Sequence, residues 1–156
     1  MGDDNWSRQS KFMSDETIEA MCHQMAQLSV SQDKLFSIVL HGGEPFLMGV
    51  SRLRKLLSSL RNVLSADYPI SIQSNGVLIT NEILDVCAEY NASVAISIDG
   101  PKEIHDKFRI GHKAEGTFDA VIKGIELLKH HSDATFLNAG LLAVIDPESD
   151  PSVVYN

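Results

Sequence analysis

Two cysteines in 156 residues, Cys22 and Cys87, set the first limit on this sequence. They lie far apart, each in a segment of helical periodicity, so neither a disulfide framework nor a cysteine-rich metal site can be assembled from them. Both read as small core residues. Positive charge is also scarce: 13 Lys and Arg against 21 Asp and Glu give a formal net charge of -8. Neutralising phosphates requires clustered cations, which excludes nucleic acid and leaves small molecules or proteins as partners. No apolar run is long enough to cross a bilayer, so no membrane is expected. The start, MGDDNWSRQS, is acidic and polar where a signal peptide is basic and then apolar, which points to the cytoplasm. Repeats and low-complexity tracts are missing. His105, His112, His130 and His131 show no metal-ligand spacing and read as surface or turn residues.

What is present is a regular alternation. With 44% hydrophobic and 22% charged residues, the composition is globular and the length suits one domain. Ser14 reads as a helix N-cap ahead of Asp15 and Glu16, and Ile18, Met21, Cys22, Met25 and Leu28 recur at helical spacing. Residues 35–40 form a short continuous apolar run, which suits a strand buried on both faces. Residues 50–64 return to helical period through Leu53, Leu56, Leu57, Leu60 and Val63, leaving Arg52, Arg54, Lys55 and Arg61 for the wet side. A second strand at 70–73 precedes a helix capped by Thr80, and a third strand covers 94–98. After a loop rich in charge and glycine, Thr117 caps a fourth helix, and 135–145 supplies a fourth strand. Strict α-β alternation with short connections demands parallel crossovers, hence an α/β fold with a parallel sheet. Residues 1–13 read as a connecting loop, 14–145 as the alternating α/β part of a single incomplete domain, and 146–156 as a tail.

The unusual residues gather at strand ends. His41-Gly42-Gly43-Glu44-Pro45, Ser74-Asn75-Gly76 and Asp99-Gly100-Pro101 all follow strands, at the edge where parallel β/α folds bind ligands. Gly42 and Gly43 let a ligand approach bare backbone, Glu44 can accept from a cationic amine, and Pro45 fixes the exit of the chain. Asp99 reads as the cap of its own turn with Gly100. No Lys occupies a strand end, which argues against Schiff-base aldolase chemistry.

The segments HGGEPFLMG, IQSNGVLITNEILD and SVAISIDGPKEIHDKFRIGHKAEGTFDAVIKGIELL resemble the radical S-adenosylmethionine (radical SAM) enzymes, in particular the branch of anaerobic sulfatase maturases and related peptide-modifying maturases of SPASM type. The resemblance covers nearly the whole chain. It implies a partial parallel (β/α) barrel, truncated at both ends, and a peptide or protein substrate in a complete parent. It also implies site roles. Gly42, Gly43, Glu44 and Pro45 match the motif that holds the amino group of the cofactor's methionine moiety, and His41 the position just before it. Ser97 and Arg109 match residues that bind the methionine carboxylate, and Asn75 a polar position near the ribose. Arg109 offers a fork of donors suited to a carboxylate.

One element of that family is lacking. The CxxxCxxC motif that binds three irons of a 4Fe-4S cluster does not occur, and two cysteines cannot replace it. The cluster is therefore expected only in a complete parent, with Met1 an internal start and the first strand and later strands absent. Two functions stay open: the cofactor-binding segment of a radical enzyme, inactive as this fragment, or a cluster-less remnant that binds a nucleotide or a protein. An unpaired apolar edge at residues 35–40 is expected to drive self-association.

Overall fold

The structure is a computed structural model that describes residues 10–111, 113–148, 150 and 152–153. Helix α1 (Asp15–Ser31) starts where Ser14 Oγ accepts the Thr17 N–H, with Asp15 and Glu16 at the positive end of the helix dipole. Strand β1 (Ile38–Leu40) leads through a 3-10 turn (Pro45–Met48) into α2 (Gly49–Val63). Then follow β2 (Ile70–Ser74), α3 (Asn81–Glu89), β3 (Ala92–Ser97), α4 (Lys102–Phe108), α5 (Phe118–His130), α6 (Ala134–Leu137) and β4 (Asn138–Leu142). The four strands pair in sequence order, β1-β2-β3-β4, all parallel. This is the α/β partial barrel expected, with the sheet left open.

Alternation in the strands divides the sheet into two faces. Ile70, Ile72, Ala92, Val94 and Ile96 are buried, in one cluster with Leu53, Leu56, Leu57 and Leu60 of α2, Leu84 and Cys87 of α3, and Val121 of α5. The other face carries Ser71, Gln73, Ser93 and Ala95, all half-buried. β1 was expected to be buried on both faces, yet Val39 is 56% exposed. Its side chain belongs to that second face, and as an edge strand β1 has a neighbour on one side only.

Three further expectations are corrected. The loop after β3 contains α4, whose only buried residue is His105, so it had no apolar stripe to betray it. The fourth strand is shorter than 135–145: residues 134–137 form a helical turn closed by Phe136 and Leu137 N–H groups on the Asp133 carbonyl, and strand pairing starts at Asn138. Arg61 does not serve the wet side. Its guanidinium donates to the carbonyls of Tyr90 (2.7 Å), Ser65 (3.0 Å), Tyr68 (2.9 Å) and Asn91 (2.7 Å), binding the segments that enter β2 and β3 to the end of α2. Among the described residues no helix is long and apolar enough to cross a membrane.

Helix α5 approaches the turn after β2 closely. A Cβ on Gly124 would lie 2.4 Å from the Gly76 carbonyl oxygen, and one on Gly76, at φ 79°, would lie 2.8 Å from Ile96 Cγ2. Only glycine fits either position. The pair seats the Asn75-Gly76 turn directly on the helix.

Candidate functional site

The C-terminal ends of the strands carry a set of cross-ties. Glu44 caps the 3-10 turn, Oε1 accepting the Phe46 N–H at 3.0 Å, and the same oxygen accepts the Ser74 hydroxyl at 3.0 Å. Its Oε2 accepts the Asn75 N–H at 2.7 Å. Three of roughly four lone-pair positions on the carboxylate are thus filled by protein donors, leaving one on Oε2 for an ammonium group. Glu44 is mainly a brace between the β1 loop and the end of β2, a role its sequence context did not reveal.

Around that brace the other expected residues are arranged unevenly. His41 is exposed and its Nδ1 accepts the Gly42 N–H at 2.7 Å. A Cβ at Gly42 or Gly43 would meet nothing within 4 Å, so there is open space above this backbone. Pro45 is buried at the first position of the 3-10 turn. Asn75 spends its Oδ1 on the Val77 N–H at 3.0 Å, which leaves the amide nitrogen for a ligand. Ser97 ends β3, next to the strand that carries Asn75, and is 7% exposed. Its hydroxyl accepts from Gln73 Nε2 at 2.9 Å, so its own proton is free to donate outward.

Arg109 stands at the C-cap of α4. Its Nε and Nη2 donate to the two oxygens of Asp99 at 2.5 and 2.9 Å, leaving the Nη1 edge of the guanidinium for a carboxylate. Asp99 is therefore not the cap of its own turn: it is 5% exposed and also accepts the Val144 N–H at 2.9 Å. Burial alone would raise its pKa, but the hydrogen bonds from Arg109 and Val144 outweigh that and hold the carboxyl below the usual range.

Beneath this pair lies a residue read from the sequence as superficial. His105 is fully buried, not a surface or turn residue, and burial, with Arg109 nearby, pushes its pKa down. Thr117 occupies the N-cap of α5 but makes no side-chain cap. Its hydroxyl donates to the Arg109 carbonyl at 2.9 Å and lies 3.0 Å from His105 Nε2, while Asp106 Oδ1 accepts the Phe118 N–H at 2.9 Å. The side chain of His131 is 7% exposed beside Asp85, at 3.1 Å, whereas His130 is exposed as expected. His112 lies outside the described residues.

The profile of the Radical SAM superfamily matches residues 4–150. The chain belongs to the radical SAM superfamily. A serine-type anaerobic sulfatase-maturating enzyme of Bacteroides thetaiotaomicron is 35% identical over 121 residues, which cover 76% of this chain and 28% of that protein. An uncharacterized protein of Methanothermobacter thermautotrophicus is 33% identical over 125 residues, covering 80% of this chain and 45% of its own length. Among solved structures, native anSMEcpe with bound AdoMet and Kp18Cys peptide superposes with a TM-score of 0.77 at 28% identity, over 96% of this chain and 41% of that one. The chain spans less than half the length of these relatives.

The donor set suits one end of S-adenosylmethionine: bare glycine backbone and a free carboxylate lone pair for an ammonium, a hydroxyl proton and a guanidinium edge for a carboxylate. An iron–sulfur cluster does not fit. Cys22 and Cys87 are buried, burial pushes the Cys87 thiol up to about 12, and no group of three metal-binding side chains assembles among the described residues.

Proposed function

We propose that this chain is the S-adenosylmethionine-binding part of a radical SAM enzyme that modifies a peptide or protein, akin to the sulfatase maturases. The observation that carries this reading is the shared strand edge on which the Gly42-Gly43-Glu44 turn, Ser97 and the outward edge of Arg109 gather. Gly42, Gly43 and Glu44 hold the ammonium group, with Pro45 fixing the turn and His41 beside it. Ser97 and Arg109 hold the carboxylate, and Asn75 addresses the ribose. When bound, the cofactor supplies radical chemistry to a carbon–hydrogen bond of the substrate. The cluster that such chemistry requires is held by none of the described residues, so this chain is assigned the cofactor-binding part and not catalysis by itself. On this reading the protein is cytoplasmic, its partner is a peptide or protein, and the edge strands β1 and β4 support self-association.

Without iron coordination the remaining contacts must offset an association cost of at least about 4 kcal/mol. Binding of S-adenosylmethionine near millimolar, about -4 kcal/mol, is the expected result. An NMR titration should perturb Gly42, Gly43, Ser97 and Arg109 together. Shifts confined to other surfaces, or equal binding of adenosine alone, would reject the assignment and favour the nucleotide-binding remnant.

A further inference from the structure

We propose that His105 and Thr117 are positioning residues that aim the guanidinium of Arg109 from beneath the site. The inference rests on the proposed role of Arg109 toward a carboxylate, and its basis is a closed circuit of hydrogen bonds.

The circuit has one consistent direction. The Asp99 N–H donates to His105 Nδ1 at 3.3 Å, so the imidazole proton resides on Nε2. From there it is donated to Thr117 Oγ1 at 3.0 Å, and the Thr117 hydroxyl passes its own proton to the Arg109 carbonyl at 2.9 Å. The Arg109 carbonyl also accepts the Thr117 N–H at 3.2 Å, and the Arg109 N–H donates to the His105 carbonyl at 2.9 Å. The Arg109 side chain closes the loop on Asp99, whose backbone began it. Both ends of the arginine are therefore fixed through His105. Asp106, the next residue, takes the Phe118 N–H and pins the start of α5 at the same point.

This arrangement bears on orientation because Arg109 is otherwise loosely placed. It follows the last residue of a seven-residue helix, and its side chain remains 25% exposed. The two bonds to Asp99 already direct the Nη1 edge away from that carboxylate, but if the backbone at 109 were free to shift the fork would open and the guanidinium would swing. The Thr117 and His105 contacts remove that freedom by fixing the Arg109 carbonyl and N–H, so the fork on Asp99 stays formed and the Nη1 edge keeps its direction. A neutral imidazole is required, since a proton on Nδ1 would face the Asp99 N–H.

Thr117→Val, nearly isosteric and lacking the hydroxyl, tests the circuit in the full chain, with Thr117→Ser as rescue. The first readout needs no ligand: the hydrogen-exchange rate of the Arg109 Nε–H, followed by NMR with nitrogen-15 arginine. Loss of one hydrogen bond of ordinary strength should speed exchange about tenfold in Thr117→Val, and Thr117→Ser should restore it. His105→Asn, which keeps an acceptor for Asp99 but cannot reach Thr117, should match Thr117→Val should that variant fold poorly. The second readout is affinity for S-adenosylmethionine against 5'-methylthioadenosine, which lacks the carboxylate. Thr117→Val should weaken only the former, about tenfold, and that loss should vanish in an Arg109→Ala background. Unchanged Arg109 exchange in both variants, or an equal loss with and without Arg109, would overturn the positioning role. An Arg109→Ala chain that binds S-adenosylmethionine as the parent chain does would instead reject the carboxylate assignment, and the exchange rates would still decide the positioning.

Discussion

Replacing Glu44 with Gln changes one atom of the brace and should weaken the whole strand edge. In the parent chain Oε1 accepts from Phe46 and Ser74 while Oε2 accepts from Asn75 at 2.7 Å. A glutamine oxygen can keep the first two, but its amide nitrogen would then face the Asn75 N–H, donor against donor. One charge-assisted hydrogen bond is lost, worth about 1.5 to 3 kcal/mol, and the two survivors become neutral and weaker. Because Glu44 is half-buried and water can reach part of the site, a total near 2 to 3 kcal/mol is expected. For a chain of this size each kcal/mol shifts the melting temperature by about 2 to 4 °C, so the midpoint should fall by roughly 5 to 10 °C. Thermal unfolding by circular dichroism measures it. Combining Glu44→Gln with Ser74→Ala should give less than the sum of the two, since the first already weakens the contact that the second removes. A midpoint within about 1 °C of the parent would show a solvated glutamate and would sink the brace.

Arg61→Ala should cost about 3 kcal/mol in urea unfolding because four carbonyls lose a charged donor, and Arg61→Lys should recover only part, an ammonium being unable to reach all four. Gly124→Ala should destabilise by about 1 to 3 kcal/mol despite alanine's better helix propensity, since its methyl meets a backbone oxygen that cannot move aside; a raised melting temperature would contradict the packing. Acidification should lower stability in a window set by His105. Its folded pKa lies below the ordinary 6.5, so between the two values the unfolded chain binds the extra proton and stability rises with pH. Urea midpoints should therefore drop from pH 7.5 to pH 5.5, and His105→Asn should flatten that slope; a parent chain indifferent to this change would refute it.

The sequence displayed what repeats and hid what is made by a single contact. The apolar periods of α2 and α5 and the caps Ser14 and Thr80 were legible because they depend on local spacing. The strand-end glycines marked the edge that carries the candidate site. Glu44, Asn75, Ser97 and Arg109 all reach that edge, yet the bonds that define their roles come from Ser74, Gln73 and Asp99, and nothing in the spacing announces such pairings. His105 escaped notice for a related reason. In a seven-residue helix with one buried position there is no stripe to measure, and a helix with charges at Lys102, Glu103, Asp106 and Lys107 has the composition of a surface. Arg61 carries no mark of its role in the sequence either, since its partners are carbonyls, which every residue has.

The strand-end ties run in one direction around the sheet. Glu44 after β1 grips the end of β2, Gln73 of β2 grips Ser97 of β3, and Asp99 after β3 grips Val144 beyond β4. Each strand end is fastened to the next, like staves under a single hoop. Polar side chains that would otherwise sample several rotamers are already settled before any ligand arrives, and each one spares an ordering cost of about 0.5 to 1.5 kcal/mol at the moment of binding. The hoop also spreads damage, because cutting one tie loosens the neighbour it was holding.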